Sequence, residues 1–137
     1  MQDISHVNLH NRWRIPLAMA RQVATRDVKC VYCGSAFESR IGIRRGRASW
    51  EHIVNDLNLV NLENIALSCI GCNASKGTKS LLLWLSSSYC QSRGISKVTF
   101  SPVAAAALRH ETIKVEAARL LQSQHLTTQA VASPRDA

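Results

Sequence analysis

Four cysteines fall into two pairs, Cys30 with Cys33 and Cys69 with Cys72, each pair enclosing two residues and the pairs standing 35 residues apart. Two residues between thiolates let both sulfurs reach one ion from a tight turn, and two such turns complete a tetrahedral all-sulfur shell. An ion enclosed in this way keeps no position open to water. Its work is structural, adding folding free energy to a 137-residue chain whose single core is thin at the edges. A redox dithiol uses the CxxC spacing singly, so the doubled pattern favours zinc over thiol exchange and over an iron–sulfur cluster. The fifth cysteine, Cys90, follows "WLSSSY" and reads as a small core residue.

Between the pairs stand Glu51 and His52, then Asn64 after 11 residues and Asn73 after 8 more, the last directly behind Cys72. Phosphodiester hydrolysis needs a deprotonated water and positive charge near the leaving oxygen. A histidine is largely neutral at cellular pH and can take the proton, which makes His52 the candidate general base. Glu51 and the side-chain carbonyl of Asn73 are hard oxygen ligands suited to Mg²⁺ or Mn²⁺. Neighbours on a regular strand point to opposite faces, so spacing alone does not bring Glu51 and His52 to one ion.

The run "WEHIVNDLNLVNLENIALSCIGCN", followed by "ASKG", resembles the HNH endonuclease family, whose ββα-metal unit is often framed by two CxxC knuckles. The resemblance spans about residues 28–85. It rests on Glu51–His52, on Asn64 in "ENIAL", and on Asn73. Glu51 stands where Asp is common in the family, and Asn73 where His also occurs. The resemblance implies an α+β fold: a small ββα-metal core with a four-cysteine zinc site, flanked by N-terminal and C-terminal helices. It also implies DNA cleavage leaving 5′-phosphate and 3′-hydroxyl ends. In such a site the histidine addresses the water and its acidic neighbour, at the strand's end, reaches the ion. The following helix supplies the third residue, and Asn64 ties the intervening loop so that His52 stays aimed. Zinc would then hold the first turn of the helix that carries a catalytic-metal ligand.

The net charge of +8 favours a polyanionic partner. Residues 51–80, which hold the motif, are the one segment without a basic surplus. Beside them Arg40, Arg44, Arg45 and Arg47 crowd into "RIGIRRGR", and Lys76 and Lys79 follow Asn73. These six are the candidate phosphate contacts, with double-stranded DNA as the expected partner. Arg109, Lys114 and Arg119 fit either DNA contact or one wet helix face. No separate reader such as a helix-turn-helix is evident, so strong sequence specificity would need a homodimer or a partner protein.

The elements that must position these residues are a helix over 16–26, strands in "ASWEHIV" and "NLENIALSC", and a short helix opened by "CNASK" and ended by Gly77. One further helix runs through "KSLLLWLSSSYCQSR" to Gly94. A long Ala-rich helix follows, N-capped by Ser101 with Pro102 in its first turn and reaching about His125. Residues 1–125 read as one domain, 28–85 being the motif core and 86–125 a helical extension. Residues 126–137 lack a face to bury and read as a disordered tail. No apolar run is long enough for a membrane span and the start lacks the order of a secretory signal, which suggests an intracellular, cytoplasmic protein. Two other functions fit parts of the pattern: a non-catalytic zinc ribbon that binds nucleic acid, and thiol exchange.

Overall fold

A two-stranded antiparallel hairpin carries the site, and helices cover both of its faces. The computed structural model describes residues 3–132. In chain order the elements are α1 (Leu17–Arg26), β1 (Ala48–His52), β2 (Ile65–Cys69), α2 (Ile70–Lys76), α3 (Leu81–Leu85), α4 (Ser88–Arg93) and α5 (Pro102–Ala132). The architecture is therefore α+β, and no helix among the described residues is long and apolar enough to cross a membrane.

The register sets Trp50 opposite Leu67, Glu51 opposite Ala66 and His52 opposite Ile65. Because side chains alternate along a strand, Trp50, His52, Ile65 and Leu67 share one face, and Ser49, Glu51, Ala66 and Ser68 share the other. The first face packs against α1 through Ala20, Val23 and Ala24. The opposite face meets α2, the paired cysteines, Tyr32 and Trp84. β2 is buried along its whole length, as a strand covered on both sides must be.

α1 enters through Pro16, whose ring suits the edge of a first turn, and ends at Asp27. Asp27 is 4% exposed and fastens the helix end to the sheet. Its Oδ2 accepts from the Leu67 amide at 3.0 Å, while Arg26 donates to both Asp27 oxygens and to the carbonyls of Leu62 and Ile65. α2 starts at Ile70, before its second cysteine, and stops at Gly77 (φ +53), a conformation other residues rarely adopt.

Three expectations about helices need correction. The segment 79–93 is two helices, because the serine run 86–88 competes with the backbone. Ser86 Oγ donates to the Leu83 carbonyl, and Ser87 Oγ accepts from the Cys90 amide to start α4 afresh. Helix α5 does not stop near His125. It continues through Leu126–Ala132, with Thr127 and Thr128 donating to the carbonyls of Ser123 and Gln124. The rest of the expected tail, 133–137, lies outside the described residues. Finally, Ser101 does not cap α5 with its hydroxyl, which makes no hydrogen bond; its amide instead donates to the Val31 carbonyl at 2.8 Å.

Cys90 and Trp84 are fully buried, in keeping with core residues. Trp50 is only partly buried, and its indole N–H donates to the Asn8 carbonyl at 3.0 Å, tying the N-terminal segment to β1.

Candidate functional site

The first cysteine pair sits on a turn closed by the Gly34 amide donating to the Cys30 carbonyl, with Gly34 at φ +73. The Val31 amide donates to the Leu67 carbonyl, which sets this turn against β2. The second pair spans the junction where β2 becomes α2. Cys69 is the N-cap of the helix, its sulfur accepting from the Cys72 amide at 3.4 Å. All four Sγ atoms lie within 4.8 Å of one another, close enough to bind a metal ion such as zinc. Thiols at this spacing cannot all shed protons unless a cation joins them. Contact with the neighbouring sulfurs, Cys30 first, pulls Cys33 and Cys69 down, Cys69 to about 7, and pushes Cys72 up. The Tyr89 hydroxyl donates to Cys72 Sγ at 3.7 Å, an outer contact of the kind that steadies a thiolate.

Asn73 lies directly behind Cys72 in α2 and faces β1. Its Nδ2 donates to Ser49 Oγ and to the Trp50 carbonyl, both at 3.0 Å, and Ser49 Oγ donates onward to the Ser68 carbonyl. Both partners of the amide nitrogen are acceptors, so the amide is locked one way round. The Asn73 carbonyl oxygen is left as the group able to take a cation or a donor.

Asn64 holds the loop between the strands. Its Nδ2 donates to the carbonyls of Val54 (3.2 Å) and Leu59 (3.0 Å), and its Oδ1 accepts from the Val54 amide at 2.7 Å. The residue after His52, Ile53, donates its amide to the Asn64 carbonyl. His52 is thereby held from the loop side as well as by the strand.

His52 and Asn73 line one cleft of about 520 Å³ together with Arg12, Trp13 and Asn55. His52 is 7% exposed, and its Nε2 is buried without a hydrogen-bond partner. The Trp13 ring meets the imidazole edge-on at 5.5 Å between centroids. Burial, and after it the charge of Lys76, lowers the imidazole pKa from 6.5, with Asp56 acting weakly the other way. The shift favours the neutral ring at pH 7.

Glu51 and Lys76 correct two expectations. β1 stays regular through His52, so the Glu51 and His52 side chains leave opposite faces of the strand, although both residues border the cleft. Glu51 Oε1 accepts from Lys76 Nζ at 3.0 Å, and the same ammonium lies 3.4 Å from the His52 carbonyl. Lys76 thus engages Oε1 of Glu51, and Oε2 is buried without a hydrogen-bond partner. Lys76 is fully buried and not a surface cation open to phosphate. Desolvation pushes the Glu51 carboxyl up and Lys76 pulls it partly back. The hydroxyls of Tyr32 and Ser68 adjoin the carboxylate without closing hydrogen bonds of good geometry.

Of the basic residues, Arg44, Arg45, Arg47 and Lys79 are exposed, and all four lie outside the core. The loop carrying the arginines is pinned to the start of α2, where Ile70 and Gly71 donate to the carbonyls of Arg47 and Arg45. Gly71 leaves room for this approach, since a Cβ there would meet the Tyr89 hydroxyl at 3.0 Å and Arg45 Nε at 3.5 Å. Arg40 departs from its neighbours: its guanidinium is paired with Glu38 through two bonds of 2.8 Å. Lys79 donates to the Ser75 carbonyl at 3.1 Å.

Trp13 and Arg12 join the site without having been expected there. "NRWR" is a short basic-aromatic signal with no metal-ligand spacing to mark it. Comparison with family models, with curated proteins and with solved structures finds no match for this chain.

Proposed function

We propose that the chain is an endonuclease of the HNH type, hydrolysing phosphodiester bonds of double-stranded DNA with His52 as general base. The observation that carries this reading is the pairing, in one cleft, of a neutral, hydrogen-bond-free imidazole with the locked amide of Asn73, on a helix rooted in the four cysteines. A neutral imidazole can take a proton from water as the water attacks phosphorus. Asn64 keeps the imidazole at the cleft by bracing the loop that follows it. Zinc bound by Cys30, Cys33, Cys69 and Cys72 would set the first turn of α2 and so the place of Asn73.

The fit of a catalytic Mg²⁺ or Mn²⁺ is incomplete. Such an ion would find the Asn73 carbonyl oxygen as a hard side-chain ligand, but the Glu51 carboxylate is held by Lys76 on the other face of β1. Arg44, Arg45, Arg47 and Lys79 supply positive charge for the DNA backbone.

The captive carboxylate favours a second reading, a zinc-stabilised module that binds nucleic acid without cutting it. A plasmid-nicking assay in Mg²⁺ separates the two, run on the parent and on His52→Ala with zinc content measured in both. Cutting by the parent and none by the variant supports the nuclease. Equal cutting by both, with zinc retained, removes His52 as the base, and no cutting by a parent that binds DNA selects the binding module.

A further inference from the structure

The wall of the cleft facing β1 comes from a short loop, Asn11–Ile15, that is built at some conformational cost. Arg14 adopts φ +58, a left-handed conformation that is unfavourable for a residue with a Cβ and persists only where its surroundings enforce it. Asn11 does the enforcing. Its Oδ1 accepts from the amides of Trp13 (3.1 Å) and Ile15 (3.0 Å), and its Nδ2 donates to the carbonyls of Leu9 (3.2 Å) and Ile15 (3.3 Å). The loop so formed turns Trp13 onto the His52 ring and leaves Arg12 at the surface, with its guanidinium carbon 4.3 Å from the centre of the Trp13 ring.

Charge in the cleft points to the kind of ligand. Glu51, the acidic residue among its lining, has its carboxylate turned away toward Lys76, and Arg12 has no carboxylate partner among the described residues. His52 is more than nine-tenths buried with one ring nitrogen unsatisfied. A guanidinium without a counter-charge, an aromatic face and an unsatisfied imidazole around about 520 Å³ suit one phosphate of a nucleic acid strand with its sugar or base.

We propose that Arg12 takes a backbone phosphate of the bound strand in this cleft, and that Trp13 is a positioning residue that fixes the plane of the His52 imidazole. This rests on the nuclease reading for the role of His52. The phosphate contact requires only that nucleic acid enters the cleft.

The test uses the full chain with Arg12→Ala, Trp13→Ala and Trp13→Phe. Binding of a duplex of about 20 base pairs, longer than one helical turn, is followed by anisotropy over a salt series. Acylation of His52 by diethyl pyrocarbonate is followed by mass spectrometry. Arg12→Ala is expected to flatten the log–log salt slope by about 0.9, as when one phosphate is no longer neutralised, and to raise KM more than it lowers kcat. Trp13→Ala is expected to speed His52 acylation and lower kcat, and Trp13→Phe to restore both. A parent that binds the duplex with the same slope as Arg12→Ala overturns the phosphate contact while leaving the nuclease reading intact. A flattened slope without cleavage by the parent upholds the contact and removes the nuclease. A parent that binds no duplex removes both, and His52 acylation at the parent rate in Trp13→Ala overturns the positioning role whatever the DNA result.

Discussion

The Lys76 ammonium lies 3.0 Å from Oε1 of Glu51, and the two side chains are 0% and 4% exposed, so an ion pair spans the gap between α2 and β1 out of reach of water. A buried pair repays its desolvation poorly, yet breaking one leaves a lone charge in a medium that cannot solvate it. The second bond of the ammonium, to the His52 carbonyl, makes the pair a brace for the strand end that presents the imidazole.

Removing one partner is therefore expected to cost far more than removing both. Lys76→Met should lower unfolding free energy by about 3–5 kcal/mol, and Glu51→Met with Lys76→Met should recover most of it. Denaturant melts of the single and double variants check this. A double variant as unstable as the single would mean that the brace works through packing and not through charge.

The four cysteines should purify with one zinc per chain under reductant, and chelation should unfold the region around β2 and α2. Structural sites of this type bind with apparent free energies of about 10–16 kcal/mol near neutral pH, at or above a small domain's own stability. Metal analysis and circular dichroism during chelator titration give the readout. A folded, metal-free protein that cycles between dithiol and disulfide would point to thiol exchange instead.

Asn64→Ala strips three hydrogen bonds from the loop after β1, and each buried group left unpaired costs about 1–3 kcal/mol. Hydrogen exchange should localise the damage, with the Val54 amide losing protection while β2 keeps its own. If His52 depends on that loop, kcat falls more than KM rises.

The lowered pKa of His52 has two consequences of definite sign. A general base must be neutral, so cleavage should rise as pH climbs through a midpoint below 6.5 and level off above it. The unfolded chain binds the proton first on acidification. The stability His52 contributes is therefore whole above 6.5 and is lost as pH falls from 6.5 through the folded value. His52→Gln should weaken that part of the stability curve, and an unaltered curve would place the pH dependence elsewhere.

Replacing Arg44, Arg45 and Arg47 together should weaken duplex binding and flatten its salt slope by about 0.9 for each phosphate that the variant no longer neutralises. Arg40→Ala should change the slope less, because its guanidinium is already neutralised by Glu38, whose carboxyl that pairing lowers to about 2. Equal effects from Arg40 and its neighbours would show that the Glu38 pair opens when DNA binds.

The residues that sequence alone made legible act over short range or by spacing. Two CxxC turns had to bring their sulfurs together, Pro16 and Gly77 had to bound helices, and the hairpin followed from two β-rich runs. The break between α3 and α4 was written in the serines at 86–88, but an apolar run on either side masked it. Only the tertiary structure decided what Glu51, Lys76 and Trp13 do. Strand alternation fixes that Glu51 and His52 part company, but which side chain meets a partner 25 residues on depends on how α2 packs across the sheet. Likewise the hold of Asn11 on its loop is local, whereas the meeting of Trp13 with His52 joins residues 39 apart and depends on how the N-terminal segment packs on β1, to which the Trp50–Asn8 bond ties it. Spacing sets which groups can meet. Burial and packing set which of them do.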